Sequence, residues 1–141
     1  MCRHSIFATA FVCRIDPSGK MEWVNAGHPP AFVRRRNGSL ESLDSTAFLI
    51  GATPDDIFEA EMETTQLDEG ELVVVYTDGA SEAVDERGRQ FGIKGVRQVV
   101  ERWQPDLHLD LSDFLPQAVG AYRDGATQDD VLITTVRRAA T

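Results

Sequence analysis

The 141-residue sequence has few cysteines, no long apolar run and no excess of positive charge. Cys2 and Cys13 are too few for the disulfide framework of a small secreted domain, so we expect both to be reduced. No stretch approaches the ~18 consecutive apolar residues of a membrane span, and the opening residues lack the regions of a signal peptide. The formal charge of −9 would repel a nucleic-acid backbone. We therefore expect a cytoplasmic protein that binds neither membranes nor nucleic acid.

The chain length limits the number of domains, and the cysteine spacing argues against one possible metal site. With 42% hydrophobic residues, 141 residues suffice for one domain with a buried core and are too few for two. We therefore predict a single domain over residues 1–141. A zinc site built from Cys2, His4 and Cys13 is a poor alternative, because the paired spacing and the four ligands typical of structural zinc are missing.

The first half of the chain has the pattern of two β-hairpins. The expected strands lie at 7–15, 20–26, 31–36 and 39–43. The sequence "DPSG" separates the first pair, and Asn37-Gly38 predicts a two-residue turn in the second. Three consecutive arginines, 34–36, would form a solvated strand edge that resists aggregation, rather than a phosphate clamp.

The second half mixes strands with two helices. Strands are expected around 58–65, at 71–77 and at 131–138, with a turn at 68–70. One helix carries a buried stripe formed by Ile93, Val96, Val99, Val100 and Trp103. The other covers 109–122, with Asp110 or Ser112 as its cap and a kink or a late start at Pro116. This order of elements predicts an α+β sandwich with mostly antiparallel strands.

Acidic residues adjoin the two best predicted strands. Asp78-Gly79 follows the run "LVVVY", and Asp129-Asp130 precedes the last strand. In an antiparallel pair, the end of one strand lies beside the start of the other, so these acids would share one edge of the sheet. Clustered carboxylates repel unless a cation lies between them, and Mg²⁺ or Mn²⁺ prefers such oxygens. Both acidic pairs also occur in ordinary turns, which is the competing interpretation.

Several motifs in register resemble one known family over nearly the whole chain. They are "FATAF" at 7–11, "NAGHPP" at 25–30, "LIGATPD" at 49–55, "GELVVVYTDGASEAVDERGRQFG" at 70–92 and "TQDDVLITTVRR" at 127–138. In order and spacing they resemble the PPM (PP2C-like) serine/threonine phosphatases of the SpoIIE and RsbU type. The resemblance implies an α-β-β-α sandwich and hydrolysis of phosphoserine or phosphothreonine by water activated between two Mn²⁺ or Mg²⁺ ions.

The resemblance also implies roles for individual residues. Asp78 and Asp129 would bind metal, and Asp130 would be an occasional ligand or a neighbour of one. His28 and Gly79 would line the cleft, with the His28 ring ordering its loop more than binding metal. Glu82 matches an acid of the family pattern whose role would be packing or partner contact.

The sequence departs from the family in one severe respect and one smaller one. Upstream of "FATAF" the family has a "GD-x-x-GHG"-like motif, whose aspartate bridges both metals, and no such motif is present here. Leu132 stands where relatives usually have Thr or Ser. We therefore expect a domain that is incomplete at its N-terminus, inactive alone and prone to self-association through uncovered apolar surface.

Two functions follow from the resemblance. The first is a phosphatase acting on a phosphorylated regulatory protein, such as an anti-anti-sigma protein of the STAS type, with a sensory or receiver domain upstream. The second is a non-catalytic interaction module that has kept the fold and lost the metals.

Overall fold

The computed structural model describes residues 6–106, 108–125 and 129–140. The strands of this part of the chain are β1 (Ala10–Ile15), β2 (Lys20–Ala26), β3 (Ala31–Arg34), β4 (Leu40–Leu43), β5 (Glu63–Gln66), β6 (Leu72–Tyr76) and β7 (Ile133–Arg137). The helices are α1 (Asp78–Ser81), α2 (Gly92–Arg102) and α3 (Leu111–Tyr122). One sheet has the order β1-β2-β5 and the other β4-β3-β6-β7, and all their strand pairs are antiparallel. The predicted fold class is confirmed.

Strand β6 is apolar throughout because both of its faces are buried. Val73 packs between the two sheets, in a core that includes Met21 and Trp23 of β2. Val74 and Tyr76 face the opposite way, into a second core formed with α2 and α3. Successive side chains of a strand point to opposite faces, so a strand in the middle layer needs apolar residues at consecutive positions.

Both long helices lie on the outer side of the four-stranded sheet. The α2 stripe is confirmed at Val96, Val99 and Val100, with Trp103 just beyond the helix end, but Ile93 is 46% exposed. Ile93 lies at the first turn of α2, beyond the edge of the core. Helix α3 begins at Leu111 after Asp110 and runs through Pro116, so the late start is wrong.

The expected helix cap is only partly correct. Asp110 is the N-cap residue of α3, but its side chain makes no capping hydrogen bond. Its backbone carbonyl instead accepts bonds from the amides of Asp113 and Phe114, at 3.0 and 2.8 Å. The predicted strand around 58–65 is shorter and later, as β5, and the turn at 68–70 is confirmed with Gly70 at φ +82°.

The prediction that the three arginines form a solvated strand edge is wrong for the strand and for Arg34, although Arg36 is exposed. Strand β3 lies between β4 and β6, so it is not an edge strand. Arg34 is 6% exposed and donates to the carbonyls of Val100 and Trp103, at 3.2 and 2.7 Å. Its guanidinium also lies over the Trp103 ring, 5.4 Å from the centroid. Arg34 thus ties the C-terminal end of α2 to the sheet.

The turn between β3 and β4 also differs from the two-residue prediction. The Arg35 amide donates to the Ser39 carbonyl and the Gly38 amide to the Arg35 carbonyl, both at 2.9 Å, which leaves three residues in the loop. Gly38 takes φ +85°, as the last residue of a three-residue hairpin loop commonly does. Asn37-Gly38 indicated the hairpin correctly but not the loop length.

In the described part of the chain, the three-stranded sheet packs on one face of the four-stranded sheet, and helices α2 and α3 pack on the other face. The outer face of the three-stranded sheet includes exposed Val12, and exposed Met62 lies just before β5. Among the described helices, none is long and apolar enough to cross a membrane.

Candidate functional site

The pairing of β6 with β7 brings distant acids together. Tyr76 at the end of β6 lies opposite Ile133 at the start of β7. Asp78 therefore comes next to Asp129, as the antiparallel argument from the sequence predicted. In the described chain, ligand oxygens of Asp78, Glu82 and Asp129 all lie within 4.8 Å of one another, and all three residues are exposed.

Glu82 joins this cluster through helical spacing. Helix α1 begins at Asp78, and Glu82 follows it directly at the C-cap position. Residues four apart lie on the same face of a helix, so the two carboxylates point the same way. Glu82 is exposed, which argues against the packing role, while the partner contact also considered from the sequence stays a prediction. The spacing Asp-x-x-x-Glu was the sequence signal for this pairing.

Thr77 links the two segments that carry the cluster, which are α1 and the residues just before β7. Its amide donates to the Leu132 carbonyl at 3.0 Å, and its hydroxyl donates to the Asp130 carbonyl at 3.0 Å. The same hydroxyl accepts a bond from the Leu132 amide at 3.0 Å. These bonds fix the backbone around Asp130 relative to the start of α1. Sequence reasoning missed Thr77, although a hydroxyl residue at the end of an apolar strand is a polar-contact signal.

Gly79 lies beneath the cluster and is buried. A Cβ placed there would lie 2.3 Å from the Asp130 carbonyl oxygen and 3.0 Å from that of Asp129. Such a contact is far inside van der Waals distance, so only glycine permits the Asp129-Asp130 backbone to come this close. Gly79 thus acts through close approach rather than through its backbone conformation.

His28 lies on the other wall of the cleft. An open cleft of about 450 Å³ is lined by Thr9, Gly27, His28, Asp78, Glu82 and Ile93, among others. The ring Nε2 lies 2.9 Å from the Tyr76 carbonyl, and Nδ1 lies 3.1 Å from the Thr9 hydroxyl. Both ring nitrogens are therefore engaged by the protein, in agreement with an ordering role.

The loop that carries His28 is held by Asn25, which is fully buried. The Asn25 side-chain carbonyl accepts a bond from the His28 amide at 2.9 Å, and its amide group donates to the Leu43 carbonyl at 3.1 Å. Gly27 takes φ +65°, with Leu49 against it: a Cβ at Gly27 would lie 2.3 Å from Leu49 Cδ2. The motifs "NAGHPP" and "LIGATPD" are thus in contact.

Two predicted site features remain outside this group. The Asp130 carboxylate is not part of the three-acid cluster, and Asp130 contributes its backbone carbonyl to Thr77 instead. The zinc alternative involves Cys2 and His4, which lie outside the described residues, and Cys13 is a free, exposed thiol.

Comparison with known proteins identifies the family. The model of the stage II sporulation protein E (SpoIIE) family matches residues 1–139. The chain belongs to the SpoIIE family. This result confirms the resemblance that the motifs indicated, and the solved structures show that the fold is that of the PP2C-like phosphatase domains.

Three similar proteins are all longer than this chain. Protein IcfG of Synechocystis is 29% identical over 136 residues, which are 95% of this chain and 21% of IcfG. The phosphatase domain of Bacillus subtilis SpoIIE, from Mn-presoaked crystals, superposes with a TM-score of 0.72 at 18% identity, over 95% of this chain and 57% of that one. The RsbU and RsbW domains of Mycobacterium tuberculosis Rv1364c give a TM-score of 0.62 at 23% identity, over 94% of this chain and 38% of that one.

Proposed function

We propose that residues 1–141 are the C-terminal portion of a SpoIIE-type phosphatase domain, whose acid cluster holds divalent cations for hydrolysis of phosphoserine or phosphothreonine. The observation that carries the proposal is the meeting of Asp78, Glu82 and Asp129 at the junction of β6, α1 and β7. This role gives a reason for three exposed carboxylates to be held together against their mutual repulsion.

The residues present fit a hard divalent cation. The cluster offers carboxylate oxygens with no thiolate, and Mg²⁺ and Mn²⁺ prefer oxygen donors. The backbone segments that carry these acids are fastened by the amide and hydroxyl hydrogen bonds of Thr77 and by the close approach at Gly79. Rigid support of this kind is what metal sites require. The manganese soak of the B. subtilis SpoIIE crystals is consistent with this preference.

In this proposal Asp78 and Asp129 bind the metal, Glu82 is a third candidate ligand, and Asp130 is an occasional ligand or a neighbour of one. A pair of bound ions would supply an activated water and would neutralise charge on the phosphoryl oxygens. The chain itself contributes the oxygen donors, their fixed spacing and an open cleft that a phosphorylated side chain can enter.

The proposed substrate is a phosphoserine of a regulatory protein in bacterial signalling, of the STAS anti-anti-sigma type. The support is family membership and the RsbU domain of the M. tuberculosis relative. An upstream sensory or receiver domain and a cytoplasmic location belong to the same proposal. Because the chain spans well under two thirds of these relatives, the activity of the whole protein is part of the proposal as well.

One observation favours a second candidate function. The 141-residue sequence contains no "GD-x-x-GHG"-like motif, so the carboxylate that would bridge two ions is missing from these residues. On this basis we propose that the 141 residues are inactive by themselves. A non-catalytic interaction module of the same fold is the alternative, and it predicts no specific binding of Mn²⁺.

The test is a titration of the 141-residue chain with Mn²⁺, followed by electron paramagnetic resonance of the free ion. We expect at least one site, which Asp78→Asn and Asp129→Asn remove. As a control, Asp56→Asn makes the same charge change at an exposed acid that is not a member of the cluster, and it should leave binding intact. Binding that is absent in the wild type, or equal in all three variants, would contradict the metal role and favour the interaction module.

Self-association is proposed on separate grounds. Val12 is 63% and Met62 is 61% exposed at the three-stranded sheet, where no described helix packs. A second copy that covered this surface would remove it from water. Sedimentation velocity should show a concentration-dependent dimer that Val12→Lys weakens, and a strictly monomeric profile at high concentration would argue against the idea.

A further inference from the structure

The hydrogen-bond ladder between β3 and β6 ends just before the acid cluster. The Tyr76 carbonyl is therefore left without a backbone donor from the strand beside it. The register pairs Phe32 with Val74 and Arg34 with Leu72, so continuing it places Pro30 opposite Tyr76. Proline has no backbone N–H. Pro30 therefore cannot donate to a carbonyl on the neighbouring strand.

The Tyr76 carbonyl points towards this gap. Along a strand the backbone polar groups of successive residues point to alternate sides. The Thr77 amide points to β7, where it donates to Leu132 at 3.0 Å. The carbonyl of Tyr76 therefore points to the β3 side, where Pro30 has no N–H group to donate.

His28 supplies the missing donor from its side chain. Its Nε2 lies 2.9 Å from the Tyr76 carbonyl oxygen. A carbonyl oxygen can only accept, so the proton of this bond is on Nε2. In the neutral ring Nδ1 is then an acceptor, and the Thr9 hydroxyl at 3.1 Å is placed to donate to it.

We propose that His28 is a positioning residue, which fixes the end of β6 by donating from Nε2 to the Tyr76 carbonyl in place of the absent Pro30 amide. The contact lies one residue before Thr77 and two before Asp78, the first residue of α1. Thr77 in turn holds the Asp130 backbone through its hydroxyl. The His28 ring thus fixes the backbone next to Thr77, and Thr77 lies between the start of α1 and the Asp130 backbone that it holds.

The bond from His28 to Tyr76 gives a reason for the order of residues in "GHPP". The two prolines immediately precede β3 and have no backbone N–H to donate, and the histidine two positions before Pro30 supplies the donor instead. Both ring nitrogens are used in this way, so His28 braces the cleft wall without being a metal ligand. Any consequence for metal affinity rests on the proposed function, whereas the bracing itself does not.

The matched variants are His28→Gln and His28→Asn in the 141-residue chain. The Gln amide nitrogen can occupy the position of Nε2, whereas the shorter Asn amide reaches only that of Nδ1. We expect hydrogen exchange of the Thr77 amide to become about tenfold faster in the Asn variant, since one hydrogen bond is lost. Exchange in the Gln variant should stay close to the wild-type rate.

A second measurement needs no variant. Nitrogen-15 NMR of the wild-type ring should show the proton on Nε2 and an unprotonated, hydrogen-bonded Nδ1. An Nε2 that carries no proton would overturn the proposal, as would unchanged Thr77 exchange in a folded His28→Asn protein. If the Asn variant does not fold, the ring spectrum alone decides.

Metal titration separates this inference from the proposed function. If the acid cluster binds Mn²⁺, affinity should fall about tenfold in His28→Asn and be retained in His28→Gln. Equal affinities in the two variants would refute the bracing of the cluster. If the wild type binds no Mn²⁺, the proposed function fails, while the exchange and ring measurements still test the role of His28.

Discussion

Replacement of Glu71 by Gln should destabilise the domain, because Glu71 is the buried acid that joins the two sheets. Its side chain is 7% exposed and accepts hydrogen bonds from Arg35 Nη1 at 2.8 Å, the Asp68 amide at 3.0 Å and the Arg36 amide at 3.4 Å. Arg35 also contacts the Gln66 carbonyl at 2.6 Å. The network therefore links the β3–β4 loop, β5 and the start of β6.

The magnitude follows from what remains after the change. Breaking a buried ion pair by removing one partner costs about 3–5 kcal/mol. Arg35 keeps its ion pair with Glu41 and its bond to Gln66, so the loss is smaller. Glu71→Gln retains one acceptor oxygen but sets an NH₂ group against donors, and charge-assisted bonds contribute about 1.5–3 kcal/mol. We expect a loss of about 2 kcal/mol, or roughly 6 °C in melting temperature for a domain of this size.

The assay is urea unfolding followed by circular dichroism at neutral pH. The control is Glu101→Gln, which removes a solvent-exposed i,i+4 pair with Arg97 and should change stability by no more than about 0.5 kcal/mol. If Glu71→Gln were no more destabilising than this control, the network would not hold the sheets together.

The same network predicts a pH dependence. Burial alone raises the pKa of Glu71, but hydrogen bonds from Asp68 and Arg35 outweigh it, so the pKa is lowered. A lowered pKa in the folded state contributes stability above the unfolded value, about 4.3, and loses it as pH falls through the folded value. The stability difference between wild type and Glu71→Gln should therefore be constant above about pH 5 and shrink below about pH 4. A difference that stayed constant to pH 3 would contradict the assignment.

Three further outcomes are expected. The buried Tyr76 hydroxyl has no hydrogen-bond partner among the described residues, so Tyr76→Phe should leave the free energy of unfolding in urea unchanged or raise it by up to about 1 kcal/mol; a destabilisation of more than about 1 kcal/mol would reveal an unseen partner. Gly79→Ala should push Asp130 away and lower Mn²⁺ affinity in the same titration, whereas Gly120→Ala, with open space around it in a helix, should leave binding unchanged and add about 0.5–1 kcal/mol. Arg34→Lys should lower stability by about 2 kcal/mol in thermal melts, because a lysine cannot reproduce both bonds to the end of α2; wild-type stability would show that charge alone suffices.

Much of the fold could be predicted because its signals are local. Strand β6 is a continuous apolar run, α2 has a helical stripe, and β3 and β4 flank Asn37-Gly38. The Arg34–Arg36 interpretation failed because strand order is not a local property. Three basic residues look the same at a sheet edge and in its centre until the neighbours are known. Once α2 and Trp103 are in place, Arg34 is a buried cap for the helix end.

The candidate site divides in the same way. The sequence by itself determined that acids lie at the ends of two strands, because one apolar run ends just before Asp78 and another begins just after Asp129-Asp130. Only the tertiary structure decided that Glu82 joins them, that Asp130 serves through its backbone and that His28 replaces the donor Pro30 lacks. These roles depend on register and on which side a carbonyl faces, and both are set by pairing between segments far apart in the chain.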